Sequence, residues 1–295
     1  MKTSHRKVNR KDHFWLAVAP ALILVVGLLI YPMGQVIGYS FTNFDGFTGV
    51  SDFIGLVNYR QLLSDPTVKQ VLFHTMIYSF FYIVVQLLIA FSLALALSTR
   101  LRGSALYRSI YFIPVVVSPV AVVFVWSFMF DPSAGSINTL LRSIGLGALS
   151  QDWLGNYNLV LYSVITVDIW RNLGFFIVIF VAGLSTIPVE ILEAGKVDGA
   201  NAWQSLIHIT IPQMRLTFGL AIVLAFNGAL RAFDTVYLMT RGGPGNQTEL
   251  YMTKTFKEAF TNQNFGYGSA MATLVLLLLL VIASIQQRLM NRTQD

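Results

Sequence analysis

Two acid–base pairs lie within long apolar runs of this sequence. Asp168 and Arg171 form the first pair, and Arg231 and Asp234 form the second, each with a spacing of three residues. On a helix this spacing lets the acid and the base neutralise each other on one face. Charged side chains at membrane depth face a cavity or a partner. Each pair therefore indicates a solute pathway or a structural contact that closes a helix bundle.

Amide and aromatic side chains accompany both pairs. Such groups suit a sugar, whose hydroxyls bind amides and whose C–H face packs on an aromatic ring. The alternative to a role in solute binding is a structural one, in which these side chains pack against neighbouring helices. The residues predicted to line a substrate pathway are Asp168, Arg171, Asn172, Asn227, Arg231, Phe233 and Asp234.

The sequence lacks the residue sets on which catalysis or a metal site depends. It contains no cysteine, and its four histidines form neither an i, i+4 pair nor an HExxH motif. No GxxxxGK[ST] phosphate loop occurs either. We therefore expect no catalytic residue, no metal and no cofactor in this chain, and any ATP must be hydrolysed elsewhere.

Composition indicates a membrane protein. Of the 295 residues, 55% are hydrophobic and 12% are charged, which is about half the charge of an ordinary soluble domain. The net charge of +6 comes from basic residues in short groups between apolar runs, not on one continuous face. This pattern argues against nucleic-acid binding.

Six apolar runs are long enough for a hydrocarbon core of about 30 Å, which requires about 20 helical residues. The first run exceeds the hydrophobic length of a signal peptide, so we expect it to be retained. An all-α integral membrane protein with a single domain over residues 1–295 follows. The runs lie near residues 14–40, 71–97, 110–130, 159–184, 216–239 and 270–285.

Lysine and arginine are concentrated at one set of loop ends. They are most frequent in the tail at residues 1–13, near Arg100 to Arg108, in the loop at about 185–215 and at the C-terminus. Because cytoplasmic loops carry the excess of these residues, both termini are predicted to be cytoplasmic.

The cytoplasmic loop at about 185–215 has the pattern of a helical hairpin. Pro188 precedes an acidic, alanine-containing segment, Gly199 suits the turn, and a second helix from Ala202 is expected to end at Pro212. Trp203 gives this hairpin an apolar side chain too large to leave in water. The hairpin either docks on a partner or lies on the membrane surface.

This loop resembles the EAA loop of the permeases of ATP-binding-cassette (ABC) importers. The resemblance implies that the loop fits a cleft on an ATPase subunit and that Glu193 and Gly199 are coupling residues. Gly195, where the family usually has alanine, and Ile211, where leucine is commoner, are small departures. The matching positions are Glu193, Ala194, Gly195, Asp198, Gly199, Ala200, Ile209 and Pro212.

Other segments resemble the carbohydrate-uptake branch of these permeases, which includes maltose, glycerol-phosphate and multiple-sugar transporters. The resemblance extends along nearly the whole chain, and the order and spacing of the segments make it specific. They comprise Gly55 to Tyr59, Arg102 and Gly103 with Arg108 and Pro114, Gly135 to Asn138, and Thr240 to Pro244.

The resemblance implies a type I ABC importer permease fold in a bacterial inner membrane. It also implies a second homologous permease, two ATPase subunits that bind ATP and magnesium, and an extracytoplasmic solute-binding protein that delivers a sugar. A permease for glycerol phosphate or another non-sugar solute is one alternative. An ion-coupled secondary transporter, with Asp168 and Asp234 as coupling acids, is a weaker one.

Overall fold

The computed structural model describes residues 10–49, 51–98 and 104–291, and the chain within these ranges is dominated by α-helices. One isolated bridge joins Thr42 and Phe53, and no sheet strand occurs in the described ranges. The all-α prediction is confirmed. Residues 1–9 of the predicted tail at 1–13 lie outside the described residues. Arg102 and Gly103 also lie outside them.

The α-helices before residue 150 include two long segments and several short ones. They are α1 (Arg10–Val25), α2 (Tyr31–Tyr39), α3 (Val57–Ser64), α4 (Pro66–Ser98), α5 (Ser104–Val116), α6 (Pro119–Met129) and α7 (Ser136–Ser143).

The α-helices after residue 150 include the hairpin predicted at about 185–215 and three long segments. They are α8 (Val160–Ser185), α9 (Val189–Val197), α10 (Ala202–Ser205), α11 (Ile211–Gln213), α12 (Arg215–Leu230), α13 (Asp234–Thr240), α14 (Tyr251–Phe256) and α15 (Phe265–Asn291).

Five segments of the described chain are helical, long and apolar enough to cross a membrane, and the bent pair α5 and α6 raises the number to six. The prediction of about six spans therefore agrees with the structure. The five segments are Val18–Tyr39, Pro66–Ser98, Val160–Ser185, Arg215–Thr240 and Phe265–Arg288.

The third predicted span, at residues 110–130, is not a single straight helix. Helices α5 and α6 meet at an angle of 98°. Ser118 adopts an extended backbone, with ψ of 134°, and Pro119 is the first residue of α6. Proline lacks an N–H and disfavours the α conformation in the residue before it. The apolar run predicted as the third span is therefore bent at this proline.

Two π-helical turns carry helices through other prolines. Val26–Ile30 precedes Pro32, and Leu206–Thr210 precedes Pro212. In each turn the backbone N–H after the turn bonds to the carbonyl five residues earlier. This wider turn accommodates a proline that would otherwise clash with the carbonyl one turn before it.

The described residues fall into two compact units, one within residues 65–254 and 278–295 and one within 1–64 and 255–277. In the first, α8 packs against α4, α5 and α12. Gly174 of α8 approaches the Tyr111 carbonyl of α5, and Gly183 lies against Thr217 of α12. Any Cβ at these two glycines would collide with the neighbouring helix, so they permit the tight packing that positions α8.

In the second unit an aromatic cluster holds the start of α15. The backbone N–H of Gly266 donates a 2.7 Å hydrogen bond to the carbonyl of Phe44. The Phe44 ring stacks on Tyr39 at 4.5 Å and meets Phe265 edge-on at 5.6 Å. The buried Asn58 side chain donates to the carbonyls of Ser40 and Thr42, at 2.9 Å each.

Candidate functional site

Asp168 is buried in the middle of α8 and holds three helices together. Its Oδ2 accepts a 2.5 Å hydrogen bond from the Tyr78 hydroxyl of α4. Its Oδ1 accepts a hydrogen bond of the same length from the Thr235 hydroxyl of α13. Each carboxylate oxygen therefore has a protein partner, which offsets part of the cost of burying the group.

The fifth spanning segment is broken next to this carboxylate. Helix α12 ends at Leu230, Arg231 forms its C-cap, and α13 begins at Asp234. Irregular backbone at membrane depth is tolerated where it lines a cavity or is buried in protein. Discontinuous helices of this kind commonly form solute sites in transporters.

This break changes the interpretation of the charged pairs. Arg231 and Asp234 belong to different helices, so they do not share the helix face that the sequence predicted. Within the described residues no ion pair of 4.0 Å or less joins them, and none joins Asp168 to Arg171. Hydroxyl groups from α4 and α13, not the Arg171 guanidinium, make the direct contacts with Asp168. The predicted pairing of Asp168 with Arg171 is therefore not a direct ion pair.

A cavity of about 170 Å³ lies at the helix break. Six of the seven residues predicted for a substrate pathway line it, and Asn227 does not. Their role in binding stays a prediction, but the structure brings these six together. The lining residues are Tyr78, Tyr82, Asp168, Arg171, Asn172, Gly228, Arg231, Ala232, Phe233, Asp234 and Thr235.

The polar groups of the cavity differ in how far the protein occupies them. Asn172 donates its Nδ2 to the Asp168 carbonyl at 2.9 Å. Asn227, which lies outside the lining, donates to the Val223 carbonyl at 2.9 Å. Arg171 is half-buried, and its Nε has no hydrogen-bond partner. The structure also leaves Arg231 exposed. The two guanidinium groups therefore have donor capacity available for a solute.

Two aromatic surfaces flank these polar groups. Tyr82 stacks on Tyr78 with a centroid distance of 5.9 Å, and Phe233 stacks on Tyr237 at 5.0 Å. Gly228 leaves open space in front of Tyr82, since the nearest atoms to a Cβ there would be those of the Tyr82 ring and hydroxyl, at 3.8 to 3.9 Å. The cavity thus combines hydrogen-bond donors with flat apolar faces.

Sequence reasoning missed Tyr78, Tyr82, Gly228 and Thr235. The two tyrosines lie in α4, about ninety residues before Asp168 in the case of Tyr78, in a helix where apolar residues surround them. A tyrosine in an apolar helix ordinarily packs or lies at an interface. Only the tertiary contact with α8 distinguishes these positions.

The hairpin at about 185–215 has the predicted first helix and turn. Helix α9 starts directly after Pro188, and Gly199 in the turn has a φ of +80°, a conformation that glycine adopts without strain. A capping box starts α10, since Asn201 accepts from the Gln204 N–H and Gln204 accepts from the Asn201 N–H.

The second arm of the hairpin differs from the prediction. Pro212 does not end it, because the π-helical turn at Leu206–Thr210 carries the chain through Pro212 to Gln213. Only Met214 separates this arm from α12. The hairpin is therefore joined almost directly to the spanning helix that reaches the cavity.

The two arms of the hairpin pack closely at Gly195, and several other side chains of the hairpin are exposed. Gly195 is buried, and a Cβ there would collide with Cδ1 of Ile209 on the opposite arm. Trp203 is 68% exposed, and Val197 is 87% exposed. Of the other predicted coupling residues, Glu193, Ala194, Asp198, Gly199 and Pro212 are exposed and Ala200 is half-buried.

Comparison with known proteins identifies the family. The model of the binding-protein-dependent transport system inner membrane component family matches residues 86–295. The chain belongs to this family. It is 34% identical to the probable ABC transporter permease protein YurN of Bacillus subtilis over 276 residues, which cover 93% of this chain and 94% of YurN.

Two further comparisons support the same assignment. The permease is 29% identical to the multiple sugar-binding transport system permease protein MsmF of Streptococcus mutans, over 97% of this chain and 98% of MsmF. Its fold matches a chain in the crystal structure of a bacterial ABC transporter involved in the import of alginate, an acidic polysaccharide. The TM-score is 0.83 at 20% identity, and 98% of this chain and 99% of that chain are covered.

The permease is accordingly a multi-pass inner-membrane transport subunit with the fold of an ABC importer permease.

One segment between its spans is built around the amide side chain of Asn138. Asn138 is buried and donates to the carbonyls of Pro132 and Gln151, while its Oδ1 accepts from the Trp153 indole at 2.9 Å. This network explains why asparagine ends the predicted Gly135 to Asn138 segment.

The segment from Thr240 to Pro244 is also ordered by hydroxyl groups. Thr248 is fully buried, lies 2.6 Å from the Thr240 hydroxyl and donates to the Gly243 carbonyl at 2.9 Å. Gly242 has a φ of +88°, which favours glycine. The segment fixes the chain that leaves the C-terminal end of α13.

Proposed function

We propose that this chain is the transmembrane permease subunit of an ABC importer for a sugar or oligosaccharide. The observation that carries the proposal is the cavity at the helix break, where guanidinium and amide groups lie beside the faces of Tyr82 and Phe233. A solute with many hydroxyls and a flat C–H face meets both kinds of group. The relative MsmF is named as a permease of a multiple sugar-binding transport system, which also supports a sugar as the solute.

Movement of the solute requires partners. In the proposed assembly a second homologous permease completes the pathway, and an extracytoplasmic binding protein delivers the sugar. Two ATPase subunits bind ATP and magnesium, since this sequence contains no phosphate loop. The transport subunit itself breaks no covalent bond.

The hairpin α9 to α11 is the proposed contact with an ATPase subunit. Its exposed Trp203 and Val197 provide an apolar surface, and exposed apolar patches commonly mark interaction sites. Because only Met214 separates the hairpin from α12, displacement of the hairpin moves the helix that ends at the cavity. Closure of the ATPase pair would thus alternate access between the two sides.

In this proposal both termini and the hairpin are cytoplasmic. The excess of lysine and arginine in the tail, near Arg108 and around Lys196 supports this orientation. The segment around Asn138 then faces outward, where a binding protein would dock.

An ion-coupled transporter is disfavoured by the contacts of Asp168. A coupling carboxylate must exchange its ion or proton during transport, whereas both oxygens of Asp168 accept hydrogen bonds from the protein. These contacts are those of a carboxyl group that joins helices.

ATP hydrolysis by the co-purified complex in lipid tests the proposal. The binding protein would be added with a panel of neutral oligosaccharides, uronates and glycerol 3-phosphate. We expect one sugar to stimulate hydrolysis. Stimulation by glycerol 3-phosphate alone would contradict the sugar assignment, and no associated ATPase activity in a folded complex would contradict the importer assignment.

A further inference from the structure

A groove of about 520 Å³ runs along one side of α5, away from the cavity. Its axis follows residues spaced by one helical turn on α5, and α8 contributes one wall. The face is apolar and open, with Val116 73% exposed. The residues that line it are Arg108, Ser109, Phe112, Ile113, Val116, Val117 and Val178.

Arg108 is the charged residue at one end of this groove. Its side chain is half-buried, and the buried Nε has no hydrogen-bond partner. In the described parts of the chain no acidic side chain forms an ion pair with it. A guanidinium in apolar surroundings requires a counterion and hydrogen-bond acceptors. Because the described residues supply no ion-pair partner and leave the Arg108 Nε without an acceptor, an external anion fits this position.

The dimensions of the groove fit one leaflet of a bilayer. Arg108 and Val116 are eight residues apart, a rise of about 12 Å at about 1.5 Å per residue. Half of a hydrocarbon core is about 15 Å. Beyond Val117 the chain bends by 98° into α6, and the straight track ends there. The groove therefore extends from the headgroup level toward the bilayer centre.

We propose that this groove binds an anionic glycerophospholipid. Its phosphate accepts hydrogen bonds from Arg108, and one acyl chain lies along Phe112, Val116 and Val178. The fork of donors on arginine matches a phosphate group, and basic pockets between spanning helices on the cytoplasmic side are suited to such headgroups. Assignment to the inner leaflet rests on the orientation proposed above. The site itself depends only on the groove and Arg108.

Lipid retention by the purified importer complex tests the site. The complex would be incubated in mixed micelles of phosphatidylglycerol and phosphatidylcholine, and bound lipid would be measured by native mass spectrometry. Arg108→Gln removes the phosphate contact, and Val116→Trp fills the groove while keeping the charge. We expect both to weaken phosphatidylglycerol binding by about tenfold or more, a typical effect for one charge-assisted contact.

Arg288→Gln is the matched control, because it removes an exposed arginine near the end of α15. It should leave retention unchanged. Equal loss in Arg288→Gln and Arg108→Gln would overturn the site in favour of general surface charge. Unchanged binding in both groove variants would also overturn it.

Photocrosslinking distinguishes a lipid from a protein in the groove. Benzoylphenylalanine in place of Val116 should form an adduct with the mass of phosphatidylglycerol. An adduct with the second permease would show that a protein helix covers this face and would overturn the proposal. Both readouts are independent of sugar-stimulated ATP hydrolysis, so failure here leaves the proposed transport function intact.

Discussion

The hydroxyl of Tyr78 lies 2.5 Å from Oδ2 of Asp168 and joins α4 to α8 at the wall of the cavity. Thr235 binds the other oxygen of the same carboxyl group and so attaches the first turn of α13. The short helix after the break is thereby attached to α8, and it also packs against α6. The geometry of the cavity depends on these two hydrogen bonds.

Removal of the Tyr78 hydroxyl should destabilise the permease. Tyr78→Phe deletes a buried hydrogen bond to Asp168, with an expected cost of about 1–3 kcal/mol, which thermal unfolding in detergent would measure. Tyr82→Phe is the matched control, because the adjacent Tyr82 ring stacks on Tyr78 and no hydrogen bond of its hydroxyl is found in the described structure. Equal destabilisation by both variants would contradict the proposed role of the hydrogen bond.

Filling the cavity should stop transport without unfolding the protein. Gly228→Leu places a side chain in the space before Tyr82, so sugar uptake should fall by at least about tenfold through steric exclusion. Gly219→Leu is the control on the same helix, where a Cβ meets no atom within 4 Å. Uptake and melting temperature would be measured for both. Normal uptake by a folded Gly228→Leu variant would place the solute elsewhere.

The exposed tryptophan of the hairpin should matter only in the complex. Trp203→Ala removes a side chain that is 68% exposed. The unfolding free energy of the isolated permease should therefore stay within about 0.5 kcal/mol of the wild-type value. Binding of the ATPase subunit should weaken, as measured by co-purification and titration. Phe47→Ala, at 70% exposure in another segment, should leave ATPase binding unchanged. A loss in both variants would indicate a general effect of surface apolar area.

Gly195 and Ile209 should show energetic coupling. Gly195→Ala directs a methyl group at Cδ1 of Ile209, and mild overpacking of this kind costs about 1 kcal/mol. Ile209→Val removes that Cδ1 atom. The double variant should therefore be more stable than the sum of the two single changes predicts, as a double-mutant cycle in thermal unfolding would measure. Strict additivity would show that the two side chains do not meet.

Asp131 should make the loop after α6 sensitive to acid. Hydrogen bonds from the backbone N–H of Ala134 and from the hydroxyl and N–H of Ser133 lower the pKa of its carboxyl group. A lowered folded pKa gives stability that is present above the unfolded pKa of about 3.9 and is lost as pH falls through the folded value. The melting temperature of Asp131→Ala should therefore approach that of wild type below about pH 4. A constant difference from pH 7 to pH 3 would contradict this role.

Several features of the fold follow from the sequence because their causes are local. Apolar runs of sufficient length specify the spans, and the hairpin turn at Gly199 follows from the freedom of glycine at positive φ. The same local reasoning failed at Pro212, where a π-helical turn accommodates the proline. At Pro119, by contrast, the chain bends by 98°. A proline alone does not distinguish these two outcomes.

The candidate site was predictable only in part. The positions of Asp168, Arg171 and Arg231 within apolar runs indicated the site, because a charged side chain in a membrane is energetically costly and commonly functional. The contacts of Asp168 with Tyr78 and Thr235 join positions 90 and 67 residues away. No local pattern specifies such pairing, and a break after Leu230 separates two charges that a continuous helix would have joined.

Uptake of labelled sugar into proteoliposomes tests the central claim most directly. Vesicles containing the assembled complex, with ATP enclosed on the side of the ATPase subunits, would receive the sugar with its binding protein. Glu193→Ala would be compared with Glu190→Ala, which removes an acidic side chain from the same helix α9. We predict uptake that requires ATP and binding protein, is lost in Glu193→Ala and is kept in Glu190→Ala. Uptake by this chain alone on an ion gradient, unaffected by Glu193→Ala, would contradict the account.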